Sequence, residues 1–321
     1  MKAVVQSRYG STEVLAPRDI ETPVVGAQDV LVRVRAAGVN PADWAVTQGL
    51  PYIARPVYGL PHPKVAVRGT DVAGVVAAVG SAVTRFAPGD EVFGSAPGAY
   101  AELVVATEET LAPKPAGLTF EQAAAVPLAG AVALRALRAG DVGPGRHVLV
   151  NGASGGIGTF AVQIAKALGA EVTGVCSAAN VDVVRAIGAD HVVDHTRDDF
   201  TRGGARYDVV LDNVGNHPLS RLLRVLTADG MLVPNAGQLE NRWFASAGRV
   251  LGAHVLALLG RRVARPFVVT VERDDLIALT ELIAAGAVVP VLDRTYPLSE
   301  AAAAVAHVGR GHARGKVVVT V

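Results

Sequence analysis

Hydrophobic positions in this chain fall into two styles. From 146 to about 285, short runs of β-branched and aliphatic residues alternate with segments whose apolar positions recur every three to four residues, as in buried parallel strands alternating with helices. Strands are predicted at Arg146 to Asn151, Ala170 to Cys176, His191 to Asp194, Tyr207 to Asp212, Met231 to Pro234 and Phe267 to Val271, with helix at Asn180 to Ile187. Residues 1–118 read differently. Strand candidates at Lys2 to Gln6, Val30 to Arg35, Val72 to Val79, Glu91 to Phe93 and Tyr100 to Val105 are separated by Gly, Pro and Asp turns, the pattern of a compact barrel-like β domain. Phe120 to Leu137 is alanine-rich, helical around Pro127, and leads into the second domain. The tail, with Val288 to Tyr296, a helix through Ser299 to Val308 and a strand at Lys316 to Val321, is expected to rejoin the first sheet. The expectation is an α/β protein: residues 1–118 with 287–321 form one domain, and 119–286 form a doubly wound parallel sheet.

Within the second domain, the apolar strand at 146–151 enters Gly152-Ala153-Ser154-Gly155-Gly156-Ile157-Gly158, which opens directly into an amphipathic helix ending near Gly169. Glycines there let the backbone approach a diphosphate, and the unpaired N–H groups of a helix start bind its charge. Gly152-Ala-Ser154-Gly-Gly156 also matches a hydrolase nucleophile elbow, for which Asp212 and His254 are the nominees as acid and base. Short-chain dehydrogenases share the turn but need a Lys four residues after a catalytic Tyr. None of the six tyrosines has one.

Composition narrows the chemistry. Half the residues are hydrophobic and 18% are charged, consistent with a sheet covered on both faces. A net charge of +1 gives no basic surface for nucleic acid. Apolar stretches such as Val72 to Val83 and Leu282 to Leu292 are shorter than the roughly 20 residues a membrane helix needs. The polar N-terminus shows no signal peptide, so a cytoplasmic protein without a membrane partner is expected. The single cysteine, Cys176, excludes an internal disulfide and any multi-cysteine zinc site, and its strand-end position predicts a buried, inert thiol. His191 and His195 have helical metal-pair spacing, but on the predicted strand they stand about 13 Å apart at roughly 3.3 Å per residue. No metal is expected.

Several motifs then resemble one family. Ala37-Gly-Val-Asn40-Pro-Ala-Asp43-Trp, Gly69-Thr-Asp71-Val-Ala-Gly, Arg85-Phe-Ala-Pro-Gly89-Asp90, Val126-Pro-Leu-Ala-Gly130, the glycine turn, Gly188-Ala-Asp-His, Tyr207-Asp-Val-Val-Leu-Asp212 and Ala313-Arg-Gly-Lys316 occur in order along almost the whole chain. They resemble the zinc-free quinone oxidoreductase, or zeta-crystallin-like, branch of the medium-chain dehydrogenase/reductase superfamily. The resemblance implies a GroES-like barrel, a Rossmann domain, NADPH, a cleft between domains and a homodimer. It also implies that zinc-binding relatives place Cys and His ligands where this chain has Asp43 and Asp71.

Cofactor and substrate roles follow from both sources. The second Rossmann strand ends in Cys176-Ser177-Ala-Ala-Asn180, without the carboxylate that selects NAD by binding its ribose 2′-hydroxyl. NADPH is therefore expected over NADH, with Ser177, Asn180 and a protonated His195 as 2′-phosphate partners. That preference is expected to grow as pH falls. Helix capping is the alternative role for Ser177 and Asn180. The nucleotide contacts expected from the turn are Gly152, Ser154, Gly155, Gly156 and Ile157. Asn213, Val214, Asn235 and Ala236 are expected near the nicotinamide, and Lys316 either reaches the cofactor or is a solvated strand residue. At Val132 the relatives usually carry Thr, so valine keeps the shape but lacks the hydroxyl. Asn40, Asp43 and Tyr52 are the candidate catalytic residues: Asn40 as an amide donor to substrate or nicotinamide ribose, and Tyr52 as an oxygen donor. Turn chemistry and helix capping are the other roles open to Asn40 and Asp43. The expected activity is reduction of quinones, with enals, enones and enoyl thioesters as alternatives. A cofactor-binding protein without turnover is the competing class.

Overall fold

A computed structural model describes residues 1–235, 242–244, 247–260, 263–264 and 270–321. The chain opens with β1 (Lys2–Gln6), β2 (Leu15–Asp19), β3 (Asp29–Val39), α1 (Pro41–Gln48), α2 (Arg55–Tyr58), β4 (Asp71–Val79), β5 (Glu91–Ser95), β6 (Leu103–Thr107) and β7 (Leu111–Pro113). Two helices follow, α3 (Phe120–Ala124) and α4 (Pro127–Ala139). The middle contains β8 (His147–Asn151), α5 (Gly156–Ala167), β9 (Glu171–Cys176), α6 (Val181–Ala186), β10 (His191–Asp194), β11 (Tyr207–Asp212), α7 (Leu219–Arg224), β12 (Leu226–Pro234), α8 (Ala247–Leu258) and α9 (Arg273–Ala284). The chain closes with β13 (Leu292–Pro297), α10 (Ala301–Gly309) and β14 (Lys316–Thr320).

Two compact units result, one of Met1–Ala131, Thr270–Ala284 and Pro290–Val321 and one of Val132–Val269 and Ala285–Val289. In the first, β13-β14-β3-β4-β5-β7 form one sheet, and β6 pairs with β3. The returning strand β14 lies antiparallel to β3, placing Val317 opposite Val39. Val32, Val34, Val72, Phe93, Tyr100 and Val319 are buried in the core of this unit.

The division departs from the expected boundaries at 118/119 and 286/287. Helix α3 packs onto β3 and β4, where a Cβ on Gly38 would lie 2.4 Å from the Ala124 carbonyl oxygen. Helix α9 packs against β7, and its Leu279 lies against Gly130 of α4. Both helices bury their apolar faces on the barrel, so they belong to it despite their helical style.

The second unit holds a parallel sheet in the order β10-β9-β8-β11-β12. Its order reverses between β8 and β11, at a topological switch point of the kind where such sheets bind ligands beyond their strand ends. Asn151 and Asp212 are Cα partners there, at the C-terminal ends of the two strands. Leu149, Val175, Val210, Leu222 and Leu232 fill the core. Of the expected strand Phe267 to Val271, residues 267–269 lie outside the described residues. Tyr100 precedes β6 rather than starting it, although its N–H still donates to the Arg68 carbonyl at 2.9 Å. Among the described residues no helix is long and apolar enough to cross a membrane.

Candidate nucleotide site and barrel polar network

In the second unit, β8 runs into the glycine turn. Gly152 has φ +81°, a left-handed conformation that disfavours any residue with a Cβ. A Cβ on Gly158 would lie 2.1 Å from the Gly152 carbonyl oxygen, so the helix start and the turn approach as closely as only glycine permits. Gly155 differs. A Cβ there meets only the Gly152 oxygen, at 3.5 Å, and otherwise open space. Gly155 is also the N-cap of α5 and supplies no side-chain cap, so the first amides of this 12-residue helix face that space uncapped.

Beside the turn, the Asn180 amide donates to Ser154 Oγ at 3.1 Å and to Ser177 Oγ at 3.2 Å. These bonds orient both hydroxyls so that their own hydrogens can be donated elsewhere. Neither Ser177 nor Asn180 makes a side-chain cap, which rejects the capping alternative. Asn180 Oδ1 is buried without a partner. His195 is exposed, and its N–H donates to the Cys176 carbonyl at 3.0 Å. The carboxylate at this edge is Asp194 on β10, opposite Cys176. Hydrogen bonds from Thr196 hold it below the usual carboxylate range. Cys176 is buried, and burial raises its thiol to about 11, as expected of an inert cysteine. His191 lies on a strand, as the sequence suggests, and its Nε2 pairs with Glu171 at 2.7 Å.

Asp212 is fully buried at the end of β11. Its Oδ1 accepts from Asn151 Nδ2 at 2.7 Å and from the amides of Val214 and Gly215 at 3.3 and 3.1 Å. Its Oδ2 accepts from Arg249, an ion pair that sequence reasoning missed. Asp212 is thus tied to an arginine, and His254 bonds its own helix through Val250 O at 2.9 Å. With Ser154 held by Asn180, the hydrolase assignment fails. Asn213 Oδ1 accepts from Asn235 at 2.7 Å, while Asn213 Nδ2 is buried and unpartnered. Val214 lies over the glycine turn, its Cγ2 2.8 Å from where a Gly152 Cβ would be. Val132 is half-buried on α4, and Ala236 lies outside the described residues.

In the first unit, Asn40, Asp43 and Lys316 are brought together with two residues given no catalytic role from sequence, Asp71 and Tyr100. Lys316 Nζ donates to Asn40 Oδ1 at 2.6 Å, and it lies 3.5 Å from Asp71 Oδ2 and 3.4 Å from the Val39 carbonyl. Lys316 is therefore a buried member of this network, not a solvated strand residue. Asn40 Nδ2 donates to Asp71 at 3.0 Å, and the second N–H of its amide has no acceptor in the network.

Asp43 Oδ2 accepts from the Asn40 backbone N–H at 2.8 Å and from the Tyr100 hydroxyl at 2.9 Å, so it caps the start of α1. Burial pushes the Asp43 carboxyl up to about 6 against the lowering effect of those two donors. Burial likewise raises Asp71, opposed by Lys316. Arg68 is nearly buried beside Asp43, Tyr9 and Tyr100. Tyr52 lies in a short 3-10 turn, with the Arg55 guanidinium 4.6 Å above its ring and 4.9 Å from that of Tyr9. Tyr100 and Arg68 carried no signal in sequence because their partners are distant in the chain.

The cofactor test is met in the second unit. An open cradle at Gly155, uncapped amides at the start of α5, and two orphaned amide atoms on Asn180 and Asn213 suit a dinucleotide that bonds along its length.

Comparisons with known proteins agree. The alcohol dehydrogenase GroES-like domain family matches residues 26–116, and the zinc-binding dehydrogenase family matches 187–319. The mouse mitochondrial NAD(P)H oxidoreductase RTN4IP1 is 34% identical over 353 residues, covering 100% of this chain and 89% of its own. A chloroplastic NADPH-dependent alkenal/one oxidoreductase of Arabidopsis thaliana is 33% identical, covering 99% and 79%. The quinone oxidoreductase from Coxiella burnetii superposes with a TM-score of 0.89 at 31% identity over 100% and 99% of the two chains. The Escherichia coli quinone oxidoreductase complexed with NADPH does so at 0.85 and 28% over all of both chains. With full-length relatives above 30% identity and the barrel and Rossmann topologies in place, the chain belongs to the medium-chain dehydrogenase/reductase superfamily, in its quinone oxidoreductase branch.

Proposed function

We propose that the protein is an NADPH-dependent, zinc-independent reductase of quinones or activated alkenes. The observation that carries this reading is the Ser154–Ser177–Asn180 cluster beside an open glycine cradle, at a strand end that lacks a carboxylate. The start of α5 would bind the diphosphate. The two serine hydroxyls, oriented by Asn180, would donate to a 2′-phosphate, with His195 as a further partner. Asn180 Oδ1 offers an acceptor for a ribose hydroxyl, and Asn213 Nδ2 a donor at the nicotinamide end. Together with Gly152, Gly156, Ile157, Val214 and Asn235, these residues line the proposed nucleotide site.

NADPH supplies a hydride equivalent when bound. The protein's task is to orient the acceptor, exclude water and provide a donor where negative charge develops on a quinone or enone oxygen. Asn40 suits that donor role. Lys316 and Asp71 fix its amide and leave one N–H for a substrate or ribose oxygen. Asp43 and Tyr100 hold the start of α1, which anchors Asn40, so Asp43 is assigned to positioning. Tyr52 remains the second candidate donor. A conjugated carbonyl delocalises its own developing charge, so the proposed reaction requires no metal.

The alkenal/one oxidoreductase relative supports alkenes as acceptors alongside quinones. The proposal includes a homodimer, as in the family. Purified protein should oxidise NADPH in the presence of simple quinones, alkenals or a crotonyl thioester, and chelators should not change the rate. No turnover with any of the three classes would leave only the cofactor-binding reading.

A further inference from the structure

Arg249 of helix α8 reaches Asp212 at the end of β11, beside the proposed nucleotide site. Leu251, Val255 and Leu258 on this helix are exposed, whereas the Arg249 side chain is only 9% exposed and pairs with the fully buried Asp212. The fork makes two contacts. One terminal nitrogen bonds Asp212 Oδ2, and Nη1 donates to the His217 carbonyl at 2.7 Å. On its other oxygen, Asp212 holds the Val214 and Gly215 amides and the Asn151 amide. Residues 213–217 are therefore pinned at the front by Asp212 and at the back by Arg249. The pinned turn places Val214 against Gly152 and leaves Asn213 Nδ2 without a partner.

We infer that Arg249 is a positioning residue for the cofactor: it sets the place of the Asn213–Gly215 turn against the glycine turn and so couples α8 to the nicotinamide end of NADPH. The inference rests on the proposed nucleotide site. A planar guanidinium can bond the carboxylate and the carbonyl together, whereas a lysine ammonium reaching Asp212 lacks the fork for both. Coupling of this kind is reciprocal, so NADPH should in turn hold α8 in place.

The full-length protein and its Arg249→Met and Arg249→Lys variants are compared by fluorescence titration with NADPH and by titration with adenosine 2′,5′-bisphosphate, which lacks the nicotinamide half. Hydrogen exchange of α8 is followed with and without NADPH. The expected result is a 5- to 150-fold weaker NADPH Kd for Arg249→Met. Arg249→Lys should recover part of the loss, and bisphosphate affinity should stay at the parental value in both variants. NADPH should slow exchange in α8 of the parent and not of Arg249→Met. Equal weakening of NADPH and bisphosphate would mean general damage and would overturn the inference, as would parental NADPH affinity in Arg249→Met. A parent that binds neither compound would overturn the nucleotide site itself along with it.

Discussion

Gly155→Ala separates cofactor recognition from folding. Its backbone, at φ −81° and ψ 176°, is open to any L-residue, and the added methyl would meet only the Gly152 oxygen at 3.5 Å, an ordinary contact. Stability should therefore stay at the parental value. The same methyl stands in the space assigned to the diphosphate and would push it off the first amides of α5. Hydrogen bonds to a charged group contribute about 1.5–3 kcal/mol each, so losing one weakens NADPH by about 10- to 150-fold.

Gly158→Ala is the contrast. Its methyl would lie 2.1 Å from the Gly152 oxygen and 2.7 Å from Ala153 Cα, both backbone atoms that cannot swing aside. Overpacking of this kind costs about 1–3 kcal/mol, which lowers Tm by about 2–12 °C for a unit of this size. Thermal unfolding and NADPH fluorescence titration on the parent and both variants read the two effects separately. The reasoning fails if Gly155→Ala binds NADPH like the parent, or if it loses as much stability as Gly158→Ala.

Three further outcomes are expected. Because burial lifts Asp43 to about 6 from an ordinary 3.8, its ionisation burdens the folded state by up to about 3 kcal/mol above pH 6 and not at all below pH 4. Asp43→Asn should therefore gain stability relative to the parent as pH rises from 4.5 to 7.5 in urea unfolding, and a pH-independent difference would contradict this. The ratio of kcat/KM for NADPH over NADH should exceed one, and equal values for the two cofactors would count against the 2′-phosphate site. Asn40→Ala should lower kcat at least tenfold while Tyr52→Phe tests the second donor, and rates within twofold of the parent would remove both from catalysis.

Much of the Rossmann half was legible because buried parallel strands are continuous apolar runs. His191–Asp194 and Tyr207–Asp212 match their predicted spans residue for residue. In the barrel, β2 has one buried residue followed by increasingly exposed ones, so no alternation marked it. Helix α9 reads as part of the alternating half by style, yet its Leu276 and Leu279 are buried in the other unit. Site residues were legible where the chemistry is local, as in the turn from Gly152 to Gly158. They were hidden where it depends on pairing across the chain: Arg249 reaches Asp212 over 37 positions and Tyr100 reaches Asp43 over 57. An arginine in an amphipathic helix ordinarily reads as surface, and only the folded structure shows this one turned inward.

The central claim is that NADPH lies along the glycine turn with its diphosphate on the first amides of α5. A crystal grown with NADPH tests it most directly. The account predicts diphosphate oxygens within hydrogen-bond distance of the amides following Gly155 and the 2′-phosphate beside Ser154 and Ser177. An empty crevice, or a dinucleotide bound with its diphosphate elsewhere, would contradict it.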